Sequence, residues 1–236
     1  MSFSKKLILA LDFSEVQEAL QWVDRFMDFV KIFKVGKQLF TSAGPQIIRD
    51  IHRQGGQVFL DLKYHDIPNT VAGACREASE LGVFMLTIHA MGGLEMMQAA
   101  REAIDQRSSQ HKPLLIAVTV LTSFSEQNLK DIGIVLPLKQ LVLQYAKLAQ
   151  KGGMDGVVCS VQEAKSIKKE CGEKFLVVAP GIRLEERKIL KEDQKRSSGI
   201  EAALQSGADF LVLGRSLFQA KNPVSLLKQT IEHYSS

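Results

Sequence analysis

The chain of 236 residues is 45% apolar and 24% charged, with 17 glycines and 6 prolines, an ordinary globular composition that excludes disordered, collagen-like and low-complexity architectures. Its 30 basic and 26 acidic residues leave a net charge of +4, too slight to argue for a nucleic-acid partner and compatible with an anionic substrate. The 3 cysteines, Cys75, Cys159 and Cys171, make no CxxC pair or Cys/His cluster, so neither a disulfide framework nor a zinc site is expected, and a reducing, cytoplasmic setting is.

Lys6–Leu11 is the first predicted strand. Its basic, then apolar start superficially resembles a signal peptide, but Asp12 ends the apolar run and no small-residue cleavage site follows. Glu15–Phe29 reads as a helix and Val30–Val35 as a strand, followed by helix Gly44–Gln54 and strand Gln57–Leu62. Helix Val71–Leu81, strand Phe84–His89, helix Leu94–Arg107 and strand Leu114–Val120 come next. The series continues with helix Leu138–Lys151, strand Gly156–Cys159, helix Val161–Cys171, strand Phe175–Ala179, helix Gly199–Ser206 and strand Phe210–Leu213, and it ends with a helical stretch from Ser216 to about Tyr234. The helical segments repeat apolar residues every three or four positions, as in Ile47, Ile48 and Ile51, or Leu138, Leu141, Val142, Tyr145 and Leu148. The longest uncharged stretch, Leu81 to Leu94, is broken by His89, Gly92 and Gly93, too short and polar to span a bilayer, so no membrane association is expected.

Strands with few polar positions belong in a parallel sheet covered on both faces. Eight of them, each followed by helix, is the count at which such a sheet closes into a (β/α)₈ barrel, here a single α/β domain over residues 1–236. A doubly wound open sheet is the runner-up, but the turn after the first strand reads LDFSEV rather than a glycine-rich GxGxxG.

A barrel places chemistry at the C-terminal ends of its strands. Those ends present Asp12, Lys34, Asp61 with Lys63, His89, Thr122, Ser160, Arg183, and Gly214 with Arg215. The segment FLDLKYHDIPNT is the densest. Asp61 and Lys63, two apart, leave a strand end on one face; Asp66 follows just before Pro68, a residue suited to the first turn of a helix. With Lys34, two lysines and two aspartates are set to alternate in a small volume. The plain alternative is a structural ion-pair network at the rim. In LVLGRS, Gly214 permits close approach of a phosphate, the following helix start offers N–H groups and Arg215 offers a guanidinium fork; the alternative is Ser216 as an N-cap beside a surface arginine. The charge-dense run from Arg183 to Arg196 reads either as a lid, with Arg183 and Gln194 closing over phosphate, or as a solvated loop. His52, His65, His89, His111 and His233 show no metal-ligand spacing, so no metal is expected.

These residues resemble the orotidine 5′-phosphate decarboxylase family over essentially the whole length: LALD at Asp12, FKVG at Lys34, DLKYHDIPNT from Asp61 to Thr70, HAMGG from His89, LTS at Thr122, PGIR at Arg183, DQKR at Gln194, and Gly214–Arg215. The resemblance implies decarboxylation of orotidine 5′-monophosphate to uridine 5′-monophosphate with no metal or organic cofactor. Asp12 and Lys34 would hold the ribose and join the charged array. Asp61 and Lys63 would flank the scissile carboxylate, with Lys63 protonating C6. Asp66, Ile67 and Thr70 would reach into a neighbouring subunit's site, implying a homodimer with shared active sites. Thr122, with Ser123, would contact the base, and Arg183, Gln194, Gly214 and Arg215 would grip the 5′-phosphate.

Two departures from that pattern stand out. Gly199–Ile200 replaces the usual Thr-Pro, with a capping box between Ser198 and Glu201 expected to start the helix instead, and Ser216 replaces the proline of the usual GRP. The competing enzyme reading is a metal-dependent sugar-phosphate lyase or decarboxylase of the same barrel superfamily. Those enzymes resemble this chain in DxKxxD but have a glutamate at the position of Lys34. A nucleotide sensor without chemistry would be expected to lack Lys63 or Asp61, and both are present.

Overall fold

Neighbouring residues of a strand face opposite ways, and the first strand, β1 (Leu7–Ala10), sets the pattern that organises the molecule. Ile8 and Ala10 pack inwards with Ile32, Phe59, Met85, Ile116, Val178, Phe210 and Val212, while Leu7 and Leu9 join the larger outer core under the helices. The structure, a computed structural model, describes residues 2–106, 112–184 and 198–235. Seven further strands complete the inner layer: β2 (Ile32–Gly36), β3 (Gln57–Tyr64), β4 (Met85–His89), β5 (Leu114–Val118), β6 (Gly156–Val158), β7 (Leu176–Arg183) and, after a two-residue strand β8 (Ser198–Gly199), β9 (Phe210–Leu213). β1 to β7 pair in sequence order, β9 bridges β7 and β1, and every pairing is parallel. The ring is closed, which is the predicted (β/α)₈ barrel.

The outer layer comprises α1 (Val16–Phe26), α2 (Lys37–Ala43), α3 (Gln46–Arg53), α4 (Pro68–Glu80), α5 (Gly93–Asp105), α6 (Glu126–Asp131), α7 (Leu138–Lys151), α8 (Val161–Cys171), α9 (Ile200–Gln205), α10 (Arg215–Phe218) and α11 (Pro223–Ser235). Their buried residues follow helical spacing, as in Ala19, Val23 and Phe26, or Ile47, Ile48 and Ile51. Three expectations need correction. The stretch expected as one helix from Ser216 is two, α10 and α11, with the second beginning at Pro223, whose missing N–H and fixed φ suit a first turn but not an interior. α9 is preceded by Gly199 and has no side-chain cap, because Ser198 is drawn into β8 against Ile182 of β7; the Ser198–Glu201 capping box does not form. β7 runs on past Ala179 through Pro180 and Gly181, with a register shift that Gly181 accommodates at φ +74°.

Carboxylates at the barrel floor tie strands to helices. Asp155, just before β6, accepts from the Leu115 N–H (2.7 Å) and from Arg101 of α5 (3.2 Å). Asp209, just before β9, repeats the device, accepting from the Val177 N–H (2.7 Å) and from Lys168 of α8 (2.7 Å). Lys168 also donates to the carbonyls of Glu173 and Phe175, so this buried ammonium has three acceptors.

Candidate active site

The inward alternation that fills the barrel floor with Ile8, Ile32 and Phe59 delivers charge two residues further up. Asp12 stands beyond Ala10, Lys34 beyond Ile32 and Asp61 beyond Phe59, on adjacent strands. Lys34 Nζ lies 2.9 Å from Asp12 Oδ1 and 3.7 Å from Asp61 Oδ2, and Lys63 Nζ lies 2.7 Å from the same Asp61 oxygen. The four charges therefore alternate Asp12, Lys34, Asp61, Lys63; the spacing of the DLKYHD segment predicts Asp66 as the second aspartate of this array, but Asp12 takes that place and Asp66 stands outside it. Gly36 keeps this array open, since a Cβ there would stand 3.3 Å from Lys34 Nζ and 3.4 Å from Asp12 Oδ1.

Burial alone would raise the Asp61 pKa, but Lys34, Lys63 and hydrogen bonds from Lys63 and Thr87 outweigh it and hold the carboxyl below the ordinary aspartate range. Burial likewise works against the Lys34 ammonium, and Asp61 and Asp12 reverse it, leaving its pKa raised. Both groups are thus ionised at neutral pH. Thr87 of β4 is fully buried and was not singled out by any sequence motif. Its hydroxyl accepts from the Lys63 N–H (2.9 Å) and donates to Asp61 Oδ1 (3.0 Å). The signal for it was present: Met85, Thr87 and His89 share one face of β4, so Thr87 points into the barrel. Lys63 itself adopts φ +53°, the left-handed region that costs an L-residue roughly 1–2 kcal/mol.

Opposite the array, β7 and β9 supply the rest of the mouth. A cavity of about 250 Å³ is lined by Asp12, Lys34, Asp61 and Lys63 on one side and by Thr122, Arg183, Gly214, Arg215 and Ser216 on the other. Ser216 does not cap its helix. The residue before α10 is Gly214, and the Ser216 hydroxyl donates to the Ile182 carbonyl (3.1 Å), fastening the start of α10 to β7. Asp66, Ile67 and Thr70 do not line this cavity. They stand where β3 gives way to α4, and all three are exposed, Ile67 at 66%. Asp66 Oδ1 accepts from the Ile67 N–H (2.6 Å). Gln194 lies outside the described residues, as do His111 and most of the expected lid from Arg183 to Arg196. His89, at the end of β4, lies 5.5 Å from His65, ring centre to ring centre, beside rather than within the array.

A row of alternating charges facing a glycine–arginine helix start across one barrel mouth is the layout of a (β/α)₈ enzyme acting on a small phosphorylated anion. Comparison with known proteins gives the family. Residues 5–230 match the model of the orotidine 5′-phosphate decarboxylase / HUMPS family. The orotidine 5′-phosphate decarboxylase of Legionella pneumophila (strain Corby) is 51% identical over 218 residues, covering 92% of this chain and 94% of that protein. Its counterpart in Geobacter sp. (strain M21) is 46% identical over 230 residues, covering 97% and 95%. Among solved structures, orotidine 5′-phosphate decarboxylase from Lactobacillus acidophilus superposes with a TM-score of 0.84 at 32% identity, over 98% of this chain and 99% of that one. The chain belongs to the orotidine 5′-phosphate decarboxylase / HUMPS family.

Proposed function

We propose that the protein removes CO₂ from orotidine 5′-monophosphate to give uridine 5′-monophosphate, the decarboxylation of pyrimidine nucleotide synthesis. Within a family whose description covers two activities, the Legionella and Geobacter relatives both bear the decarboxylase name. Lys34, paired with Asp12 and Asp61, stands where the sugar-phosphate reading expects a glutamate. The observation that carries the mechanism is the placement of Lys63 Nζ against Asp61 at the cavity that Arg183, Gly214 and Arg215 also line.

Loss of CO₂ breaks the bond from C6 to the carboxyl carbon and leaves its electron pair on C6, where no neighbouring group accepts it. A fixed cation at that point stabilises the developing charge without reorganising as it forms. Lys63 supplies that cation and then a proton from Nζ to C6, which completes the product. Asp61 holds Lys63 in place, and Lys34 with Asp12 holds the ribose and completes the alternation. Thr122 contacts the base. Arg183, Gly214, Arg215 and, from the segment outside the described residues, Gln194 bind the 5′-phosphate. Binding energy from that remote group serves the reacting centre through closure and orientation.

The protein works as a cytoplasmic homodimer with shared sites and without a metal or organic cofactor. Asp66, Ile67 and Thr70, exposed and outside their own protomer's cavity, reach the partner's site. Among the described residues no helix is long and apolar enough to cross a membrane. Lys63→Ala tests the mechanism. It is expected to lower turnover by about 10²- to 10³-fold, in the range of losing a preorganised electrostatic group, while uridine 5′-monophosphate still binds; near-normal turnover would contradict the role.

A further inference from the structure

Pairing between β3 and β4 is regular at Leu60 with Leu86 and resumes at Tyr64 with Ile88. Between those rungs, Asp61, Leu62 and Lys63 of β3 stand against Thr87 alone. Such a bulge leaves backbone groups without ladder partners and re-aims the side chains around it. Here it coincides with Lys63 at φ +53°, the sole non-glycine residue at positive φ among the described residues. The Thr87 hydroxyl fills the gap in the ladder, accepting the Lys63 N–H at 2.9 Å and donating its own proton to Asp61 Oδ1 at 3.0 Å. A hydroxyl is suited to this because it accepts and donates at once.

We infer that Thr87 is a positioning residue, whose hydroxyl holds the bulge that aims Lys63 and Asp61 at one point in the cavity. Thr87 does not line the cavity. The inference rests on the decarboxylase reading for its kinetic consequences, but its geometric half, the anchoring of the Lys63 amide, does not. The hydroxyl also helps keep Asp61 ionised. The other groups facing that carboxylate are Lys34 of β2, with Asp12 behind it, Lys63 of β3, and His89 of β4, which has His65, Lys63 and Lys37 as its own charged neighbours. Removing the hydroxyl takes away one favourable partner of the ionised form and moves the acid limb of activity to higher pH.

Thr87→Val keeps the branched shape and deletes the hydroxyl; Thr87→Ser keeps the hydroxyl and deletes the methyl. In steady-state assays with orotidine 5′-monophosphate, Val is expected to lower kcat by about 10- to 100-fold and shift the acid limb upwards. Binding of uridine 5′-monophosphate should stay within about threefold, and Ser should keep wild-type kcat within about threefold together with its pH profile. Exchange of the Lys63 amide proton, followed by NMR in lysine-labelled protein, should be slow in wild type and Ser and fast in Val. Unchanged kcat and exchange in Val would overturn the inference. So would a Ser variant with normal melting temperature but lost activity, a readout that survives if Val does not fold. Inactive wild type would instead remove the decarboxylase reading, and the Lys63 exchange rates would still decide the anchoring role.

Discussion

Asp61 illustrates how one residue's surroundings set its chemistry. It receives two ammonium groups and a hydroxyl, so its charge is kept although it is buried. His89, two residues beyond Thr87, has the opposite experience. Burial, followed by the charges of His65, Lys63 and Lys37, outweighs the favourable Asp61 and depresses its pKa to about 4. The folded state therefore holds His89 neutral where the unfolded chain takes up a proton. Its contribution to stability is complete above about pH 6.5 and is lost as pH falls towards 4. Urea midpoints at pH 7 and pH 5 should accordingly differ less in His89→Asn than in wild type; an equal difference in both would assign the dependence to other groups. The site's charges were legible in the sequence because a charged residue directly after an apolar run marks a strand end. The inward facing of Thr87 was legible from its alternation with Met85 and His89, but its role was not, since a threonine inside a strand is what β propensity places there in any case.

At the scale of elements, packing and polar clamps hold the strand ends where the chemistry requires them. Phe218 of α10 packs edge-on against Phe13, just past Asp12, with ring centres 5.0 Å apart, and against Trp22 of α1 at 5.2 Å. This aromatic cluster, together with the Ser216 bond to Ile182, ties the loop carrying Asp12 to the helix carrying Arg215. At the floor, Lys168 bridges α8, the chain before β7 and Asp209. Lys168→Met deletes three hydrogen bonds and leaves the partly buried Asp209 carboxylate with the Val177 N–H. A loss of about 2–3 kcal/mol in unfolding free energy is expected, in the range for breaking a buried hydrogen-bonded charge pair; a loss below about 0.5 kcal/mol would show the clamp to be dispensable.

All eight barrel strands were readable as apolar runs. The short helices α2 and α6 were not, because two turns or fewer carry too little periodicity to separate them from loop. The helix break before Pro223 was written in the sequence, but the apolar spacing of Leu217, Phe218, Val224 and Leu227 continues across it and masks it.

Closure of the barrel brings together residues that the chain spreads from Asp12 to Ser216 around one cavity. The same geometry leaves Asp66, Ile67 and Thr70 exposed outside that cavity, which is why the proposed shared site assigns them to a partner subunit. An Asp66→Ala chain mixed with a Lys63→Ala chain is therefore expected to regain activity: a hybrid dimer has one site that combines an intact Lys63 from one subunit with an intact Asp66 from the other. Up to about a quarter of wild-type activity follows if half of the dimers are hybrid and one of their two sites works. Mixtures that stay inactive under demonstrated subunit exchange would refute shared sites. Nothing in the pattern of a single chain marks those residues as intermolecular; that expectation came from the DIPNT resemblance alone.

On the proposed reading, fixed lysine and aspartate charges perform the decarboxylation without a metal or organic cofactor. Purified protein incubated with orotidine 5′-monophosphate and excess EDTA tests it directly, with uridine 5′-monophosphate and CO₂ both followed. Equimolar formation of the two, at the same rate with and without EDTA, is the expected result. Folded protein that leaves the nucleotide untouched, or that works only when Mg²⁺ is restored, would contradict the account and move the assignment to the sugar-phosphate branch of the family.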